Sequence, residues 1–301
     1  MKRLLVLAGG SLAGSYQLGV IKNLVIQQGL DFDVIAGTSI GAINAAYLAQ
    51  SELNTREIEA YIAEMENLWT DIPSSKVYIK PRFLSWLRPF IGQSMYDNSG
   101  ITKKIWKTID RERILKSGRE LRIDTVDVTT GRTAIIEPTN PNFIDFIIAS
   151  TSIPFIFTPY TYNGFGGRER LYIDGGIRDN TPVKAAFQAA SFDDEYEMHI
   201  IMCYPTWLPT CNSNIYKNPI KYAIRMIDIL RHDVVMSDIE TAQLYNKQIQ
   251  SGHCTDKVFT KMYIYRPKYN PIPNPMIASQ AELKSALHAG FQDGFNPTQL
   301  S

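Results

Sequence analysis

Cysteine is scarce in this chain: Cys203, Cys211 and Cys254 are the three among 301 residues. An odd set with no C-x-x-C spacing suggests neither a disulfide framework nor a zinc site, and leans toward a reducing compartment. Histidine is almost as rare, at four. No His/Glu cluster has metal spacing, so no metal and no cofactor is expected. Charge of one sign is also missing, since Lys+Arg 31 against Asp+Glu 30 leaves a net +1. That balance excludes a general polyanion binder, and no nucleic-acid partner is expected. Long apolar runs are absent too: nothing approaches the ~18 residues of a transmembrane helix. Leu4 to Ala8, after Met-Lys-Arg, is shorter than the ~7 residues of a signal-peptide core. It reads as a first buried strand. These absences point to a cytoplasmic protein or one peripheral at membranes, although export by another route as an effector would leave no such mark.

What is present is ordinary globular composition, 45% hydrophobic and 20% charged, in a chain long enough to bury a large core. Arg3 to Ala8 has the continuous apolar character of a parallel-sheet strand. Ser15 to Gln28 turns helical and stops at Gly29. Asp33 to Ala36 is a second strand and Ile40 to Gln50 an Ala-rich helix. This repeated strand–turn–helix opening predicts an α/β fold with a mostly parallel sheet. A helix over 54–70 follows, then a hairpin around Thr129-Thr130-Gly131-Arg132, a helix over 143–152, and strands over 171–173 and 198–203. Lys217 to Asn246 reads as a long helix whose Ile224, Ile227, Leu230 and Val234 face the core. A strand over 258–265 and a helix over 279–289 close the pattern. With no repeat and no linker, residues 1–301 read as one domain.

Three segments carry chemistry. Gly37-Thr38-Ser39-Ile40-Gly41 is a G-x-S-x-G between an apolar strand and a helix. There the sharp turn strains the serine and the flanking glycines let neighbouring chain pass. The Ser39 hydroxyl would project beside the positive helix N-terminus. The plain alternative is a serine cap with small neighbours. Gly9-Gly10-Ser11-Leu12-Ala13-Gly14 follows the first strand. It lacks the lysine of a phosphate loop and has serine where a dinucleotide fingerprint wants glycine. It reads better as an oxyanion hole, in which the N–H groups of Gly9, Gly10, Ser11 and Leu12 could receive charge developing on an acyl oxygen. Third, Leu-Tyr-Ile-Asp174-Gly175-Gly176 puts a carboxylate at a strand end, near Ser39 if the two strands are parallel neighbours. Asp179 fits turn and cap chemistry.

Together these segments resemble the patatin-like phospholipases. The G-G-x-x-x-G loop ending at Gly14, the G-T-S-I-G-A elbow with Gly37 and Gly41, and the I-D-G-G-x-x-D-N-x-P-V block come in the family's order. Between them, Ala149-Ser150-Thr151-Ser152-Ile153-Pro154 with Phe157-Thr158-Pro159 resembles the family's A-S-x-x-I-P-x-x-F-x-P stretch. The likeness spans about residues 3–190. It implies a three-layer α/β/α fold with a central mostly parallel sheet. It also implies a Ser–Asp dyad: Ser39 as nucleophile and Asp174 as base, acting on acyl esters of phospholipids or related lipids. The chain departs from the family at Ala13, where a basic residue is usual.

Other readings stay open at this point. A Ser–Asp–His triad would draw on His199, His232, His253 or His288, none of which has a supporting loop motif. An acyltransferase or a neutral-lipid carboxylesterase would use the same dyad, and a catalytically silent lipid-binding module would keep the cleft without the reaction. Residues 77–92 mix aromatic, aliphatic and cationic side chains as interfacial segments do. A core-covering loop would read the same way, so transient membrane contact through this stretch, by Trp86 and Phe90 above all, is an expectation to be tested.

Overall fold

The structure, a computed structural model, describes residues 1–75, 80–81, 88, 94–163, 168–189, 195–208, 210–251, 260–273 and 278–300. The chain runs β1 (Lys2–Leu7), α1 (Gly14–Lys22), β2 (Val34–Thr38), α2 (Ile40–Leu48) and α3 (Glu57–Ser75). A two-stranded ribbon, β3 (Lys80–Pro81) and β4 (Tyr96–Asp97), precedes α4 (Ser99–Thr108) and α5 (Arg111–Lys116). Then come the hairpin β5 (Glu120–Asp127) and β6 (Arg132–Ile136), α6 (Phe143–Ser150), β7 (Tyr160–Asn163) and β8 (Glu169–Asp174). The last elements are α7 (Val183–Ala189), β9 (Tyr196–Ile201), α8 (Pro219–Gln250), β10 (Thr260–Tyr265), α9 (Gln280–Asp293) and β11 (Thr298–Leu300).

Five strands, in the order β10-β9-β1-β2-β5, are parallel throughout, and antiparallel strands extend the sheet at both ends. Side chains alternate along each strand. Leu5, Leu7 and Ile35 therefore join a core under α1, α2, α3, α6 and α9. Leu4, Val6, Val34 and Ala36 join a second core under α7 and α8. Two apolar faces on one sheet need helices on both sides, which gives the α/β/α layering expected from the resemblance.

Two details differ from the sequence reading. The helix expected over 15–28 changes pitch: α1 passes into a wider π turn over Asn23–Gln27 before Gly29, at φ 65°, ends it. The expected inner face of α8 is only partly buried: Leu230 is 62% exposed, Ile227 and Val234 are half-buried, and Ile239 and Ala242 make core contacts. Periodicity identified the helix but could not tell which face meets the sheet. Among the described residues no helix is long and apolar enough to cross a membrane.

α1 and α9 pack backbone to backbone. A Cβ on Gly19 would sit 1.9 Å from the Leu287 carbonyl oxygen, and one on Gly290 would sit 2.0 Å from the Tyr16 carbonyl oxygen. Backbone cannot rotate aside, so Gly19→Ala should cost about 3 kcal/mol, the upper end of an overpacking penalty. A urea titration checks this: an unchanged midpoint would mean that the two helices can separate without loss.

Candidate active site

The elbow starts from a register constraint. Ile123 and Asp124 of β5 pair with β2 on one edge and β6 on the other, while Thr125 to Asp127 pair with β6 and β8. Because a strand has two edges, β2 and β8 share one edge of β5 and meet end to end. Thr38 pairs with Asp124 and Asp174 with Thr125, the next residue. The expectation that β2 and β8 are parallel neighbours is thus corrected. They run toward each other, and their C-terminal ends converge.

Ser39 follows Thr38 directly, at φ 55° and ψ −125°. Such a conformation costs an ordinary residue about 1–3 kcal/mol and persists only where the surroundings enforce it. They do so here by close approach. A Cβ on Gly37 would lie 2.3 Å from the Gly41 carbonyl oxygen, and one on Gly41 would lie 2.1 Å from that of Leu7. The Ser39 N–H donates to Ser150 Oγ at 2.8 Å, and the Ser150 hydroxyl donates to the Asp124 carbonyl at 2.6 Å.

The Ser39 hydroxyl donates to Asp174 Oδ2 at 2.6 Å, and the Gly176 N–H donates to the other carboxylate oxygen, Oδ1, at 2.7 Å. Ser39 is 3% exposed and Asp174 1%. A hydroxyl–carboxylate contact of this length is in the charge-assisted range. Gly175 lets β8 end this close to β5, since a Cβ there would meet the Asp124 carbonyl oxygen at 2.4 Å.

The glycine loop lies against the same point. The Gly9 N–H donates to the Asn180 carbonyl at 2.9 Å, and the Thr38 hydroxyl donates to the Asp179 carbonyl at 3.1 Å. The residues after Asp174 therefore hold both the loop and the strand before the serine. Gly10 has no room for a side chain, because a Cβ would sit 2.1 Å from Cys203 Cβ. Ser11 adopts φ 50°, a left-handed conformation that glycine would take without strain. Ser11 and Leu12 open a 3₁₀ turn, whose first N–H groups have no partner within the turn. Gly14 packs on Ile40, with a Cβ position 2.5 Å from its Cγ1, and Ala13 is buried in the core.

Ser11 and Ser39 also border an open cleft of about 480 Å³, walled by Leu12, Ile40, Ile43, Ile101, Ile153 and Phe157. Polar atoms are few around it. No ≥3-residue group of His, Cys, Asp or Glu that could hold a metal occurs among the described residues.

His199 and His232 are engaged elsewhere. His199 is buried between Tyr265, whose hydroxyl is 2.9 Å from Nδ1, and Glu197, 2.7 Å from Nε2. His232 Nε2 contacts the Thr206 carbonyl, His288 is exposed on α9, and His253 lies outside the described residues. None of the three described histidines is a hydrogen-bond partner of Ser39. The segment 77–92, with Trp86 and Phe90, falls almost wholly outside the described residues. Of it, Arg88 donates from Nε to the Ser94 carbonyl.

Sequence reasoning gave no role to Ser150, though the residue stands in the A-S-x-x-I-P stretch that signalled it. It also missed a buried amide pair. Gln17 donates to the Ala8 carbonyl at 2.6 Å, and Asn44 donates to Gln17 Oε1 and to the Gly14 carbonyl, both at 3.1 Å. This pair ties the glycine loop to α2, and only side-chain packing could have revealed it.

The family model described as "Patatin-like phospholipase" matches residues 5–187, more than half of the chain. A "Probable lipid hydrolase 463L" of Invertebrate iridescent virus 6 is 27% identical over 81% of this chain and 85% of its own length. The uncharacterized protein YqhO of Bacillus subtilis is 29% identical, covering 58% of this chain and 62% of YqhO. A "cGAMP-activated phospholipase" of Vibrio cholerae is 27% identical over 60% of this chain and 55% of its own. Among solved structures, VipD from Legionella pneumophila aligns at 12% identity and TM-score 0.44, over 98% of this chain and 66% of that one.

Ser150→Ala would leave two buried backbone groups, the Ser39 N–H and the Asp124 carbonyl, without that hydroxyl. Each loss carries a desolvation penalty, so the variant should be about 2 kcal/mol less stable. A denaturant series showing a lowered midpoint at constant slope is the expected result.

Proposed function

Since this chain belongs to the patatin-like phospholipase family, we propose that it is a lipid acyl hydrolase that cleaves glycerophospholipid or related acyl esters through Ser39 and Asp174. The observation that supports this most directly is the 2.6 Å hydrogen bond from Ser39 Oγ to Asp174 Oδ2. In the first step Ser39 Oγ attacks the ester carbonyl carbon while its proton passes to Asp174 Oδ2. Asp174 keeps its orientation because the Gly176 N–H holds Oδ1. Negative charge then builds on the former carbonyl oxygen, beside the N–H groups of Gly10, Ser11 and Leu12; the Gly9 N–H, expected there too, is taken by the Asn180 carbonyl. One such donor is worth roughly 3 kcal/mol of barrier. Collapse of the tetrahedral intermediate expels the alcohol, which takes the proton from Asp174. Water, deprotonated by the same carboxylate, releases the fatty acid and regenerates Ser39.

The apolar walls of the cleft suit a hydrocarbon chain and leave the head group outside. Substrate would arrive from a membrane or micelle, with the enzyme peripheral to it, cytoplasmic or exported. The stretch 77–92 is the candidate for that contact. Cleavage of the phospholipase A type follows from attack on an acyl ester rather than on the phosphodiester.

A fluorophosphonate probe should label the protein, and Ser39→Ala should abolish both labelling and hydrolysis, the latter by at least ~1,000-fold. Asp174→Asn should be nearly as damaging, while alanine at each histidine leaves substantial turnover. Activity above roughly a tenth of wild type in Ser39→Ala would remove the assignment of the nucleophile. A histidine variant that is folded yet silent, beside an active Asp174→Asn, would replace the dyad by a triad.

A further inference from the structure

A second, half-open hollow adjoins the cleft at Ser39, about 550 Å³ with the solvent-open space at its mouth included, and the two share Ile40, Ile43 and Ile101 as a common wall. Its lining is drawn from three helices, each contributing one face. α2 gives Ile40, Ile43, Asn44 and Tyr47, at spacings of three, four and seven. α3 gives Met65, Leu68 and Trp69. α4 gives Ile101, Lys104, Ile105 and Thr108, again at three, four and seven. Ile40 and Tyr47 are about 10 Å apart along the α2 axis, so the cavity runs away from Ser39 down the length of that helix.

The polar atoms in this lining are occupied by the protein itself. Trp69 Nε1 donates to Asn44 Oδ1, the Asn44 amide donates to Gly14 and Gln17, the Tyr47 hydroxyl donates to Glu64, and the Thr108 hydroxyl donates to the Lys104 carbonyl. What faces the space is therefore carbon. Lys104 brings the only charge among the described lining residues, and its half-buried stem can lie along the wall with the ammonium in water. An apolar hollow parted from the cleft at Ser39 only by the side chains of Ile40, Ile43 and Ile101 suits a hydrocarbon chain.

We propose that the α2–α3–α4 cavity receives the distal part of the substrate's acyl chain and sets the chain length the enzyme prefers, with Leu68 and Thr108 as length-determining residues. The proposal rests on the reading of Ser39 as the acylated residue. It adds that chain carbons beyond the first few leave the catalytic cleft past Ile43 and lie between the three helices.

The experiment compares p-nitrophenyl butyrate with p-nitrophenyl myristate on wild type, Leu68→Trp and Thr108→Phe, both of which fill the second cavity and leave the first untouched. Each variant is first checked for a wild-type thermal transition. The expected result is a fall of at least ten-fold in kcat/KM for the myristate ester with less than a two-fold change for butyrate, in whichever variant folds. Leu68→Ala should shift the preference toward longer esters. A parallel measurement needs no catalysis: a fluorescent long-chain fatty acid binds Ser39→Ala protein, and adding Leu68→Trp weakens that binding at least ten-fold. Equal losses on both esters, or no loss on either in a folded variant, would overturn the proposal. So would fatty-acid binding indifferent to Leu68→Trp. If no ester is turned over and no probe labels Ser39, the hydrolase reading fails instead, and the binding measurement alone still decides the fate of the cavity assignment.

Discussion

The constraint on which the site depends is that two strands share one edge of β5. β2 arrives parallel and stops at the level of Asp124; β8 arrives antiparallel and stops one residue later, at Thr125. With about 3.3 Å per residue along a strand, the residues at the two ends have little choice but contact. Sheet register thus brings Ser39 and Asp174 within reach, and their rotamers complete the hydrogen bond. The Ser39 hydroxyl and the Asp174 carboxylate touch directly, at 2.6 Å.

Around the pair the chain passes its neighbours too closely for a side chain to fit. Gly10 against Cys203, Gly14 against Ile40, Gly41 against Leu7 and Gly175 against Asp124 each lack room for a Cβ. The segment after Asp174 closes the arrangement, since its Asp179 and Asn180 carbonyls accept from Thr38 and Gly9. Two strained serines, at positions 11 and 39, sit in the middle of this framework. Strain at isolated residues within an otherwise relaxed sheet is characteristic of sites whose geometry is imposed by their surroundings.

Much of this was legible in the sequence, and for local reasons. Glycines flanking Ser39 and following Asp174 mark tight passages because no other residue fits them, and the unbroken apolar run from Leu4 to Ala8 announced a strand buried on both faces. What could not be read was long-range. The direction of β8 depends on its pairing with β5, a partner some fifty residues earlier, and nothing in Leu171 to Asp174 encodes it. Ser150 was visible as part of a motif, but its bond to the Ser39 N–H exists only once α6 has docked. On α8 the reading failed at Leu230, because apolar spacing reports a stripe and not what covers it: Leu230 is on the stripe and mostly in water. The short α4 escaped notice, yet it supplies a wall of both cavities.

The close contact between α1 and α9 bears on how the protein comes into being. α1 begins at Gly14, the last residue of the glycine loop, and its packing partner is more than 260 residues downstream; β1 likewise has β9 as one of its two neighbours. During synthesis the chain emerges N-terminus first and domains complete as units. The chemistry-bearing segments, from Gly9 to Asn180, leave the ribosome well before the strand and helix that clamp them. A nascent chain therefore holds the Gly9 to Asn180 segments without their packing partners, so the cleft cannot take shape until β9 and α9 have emerged.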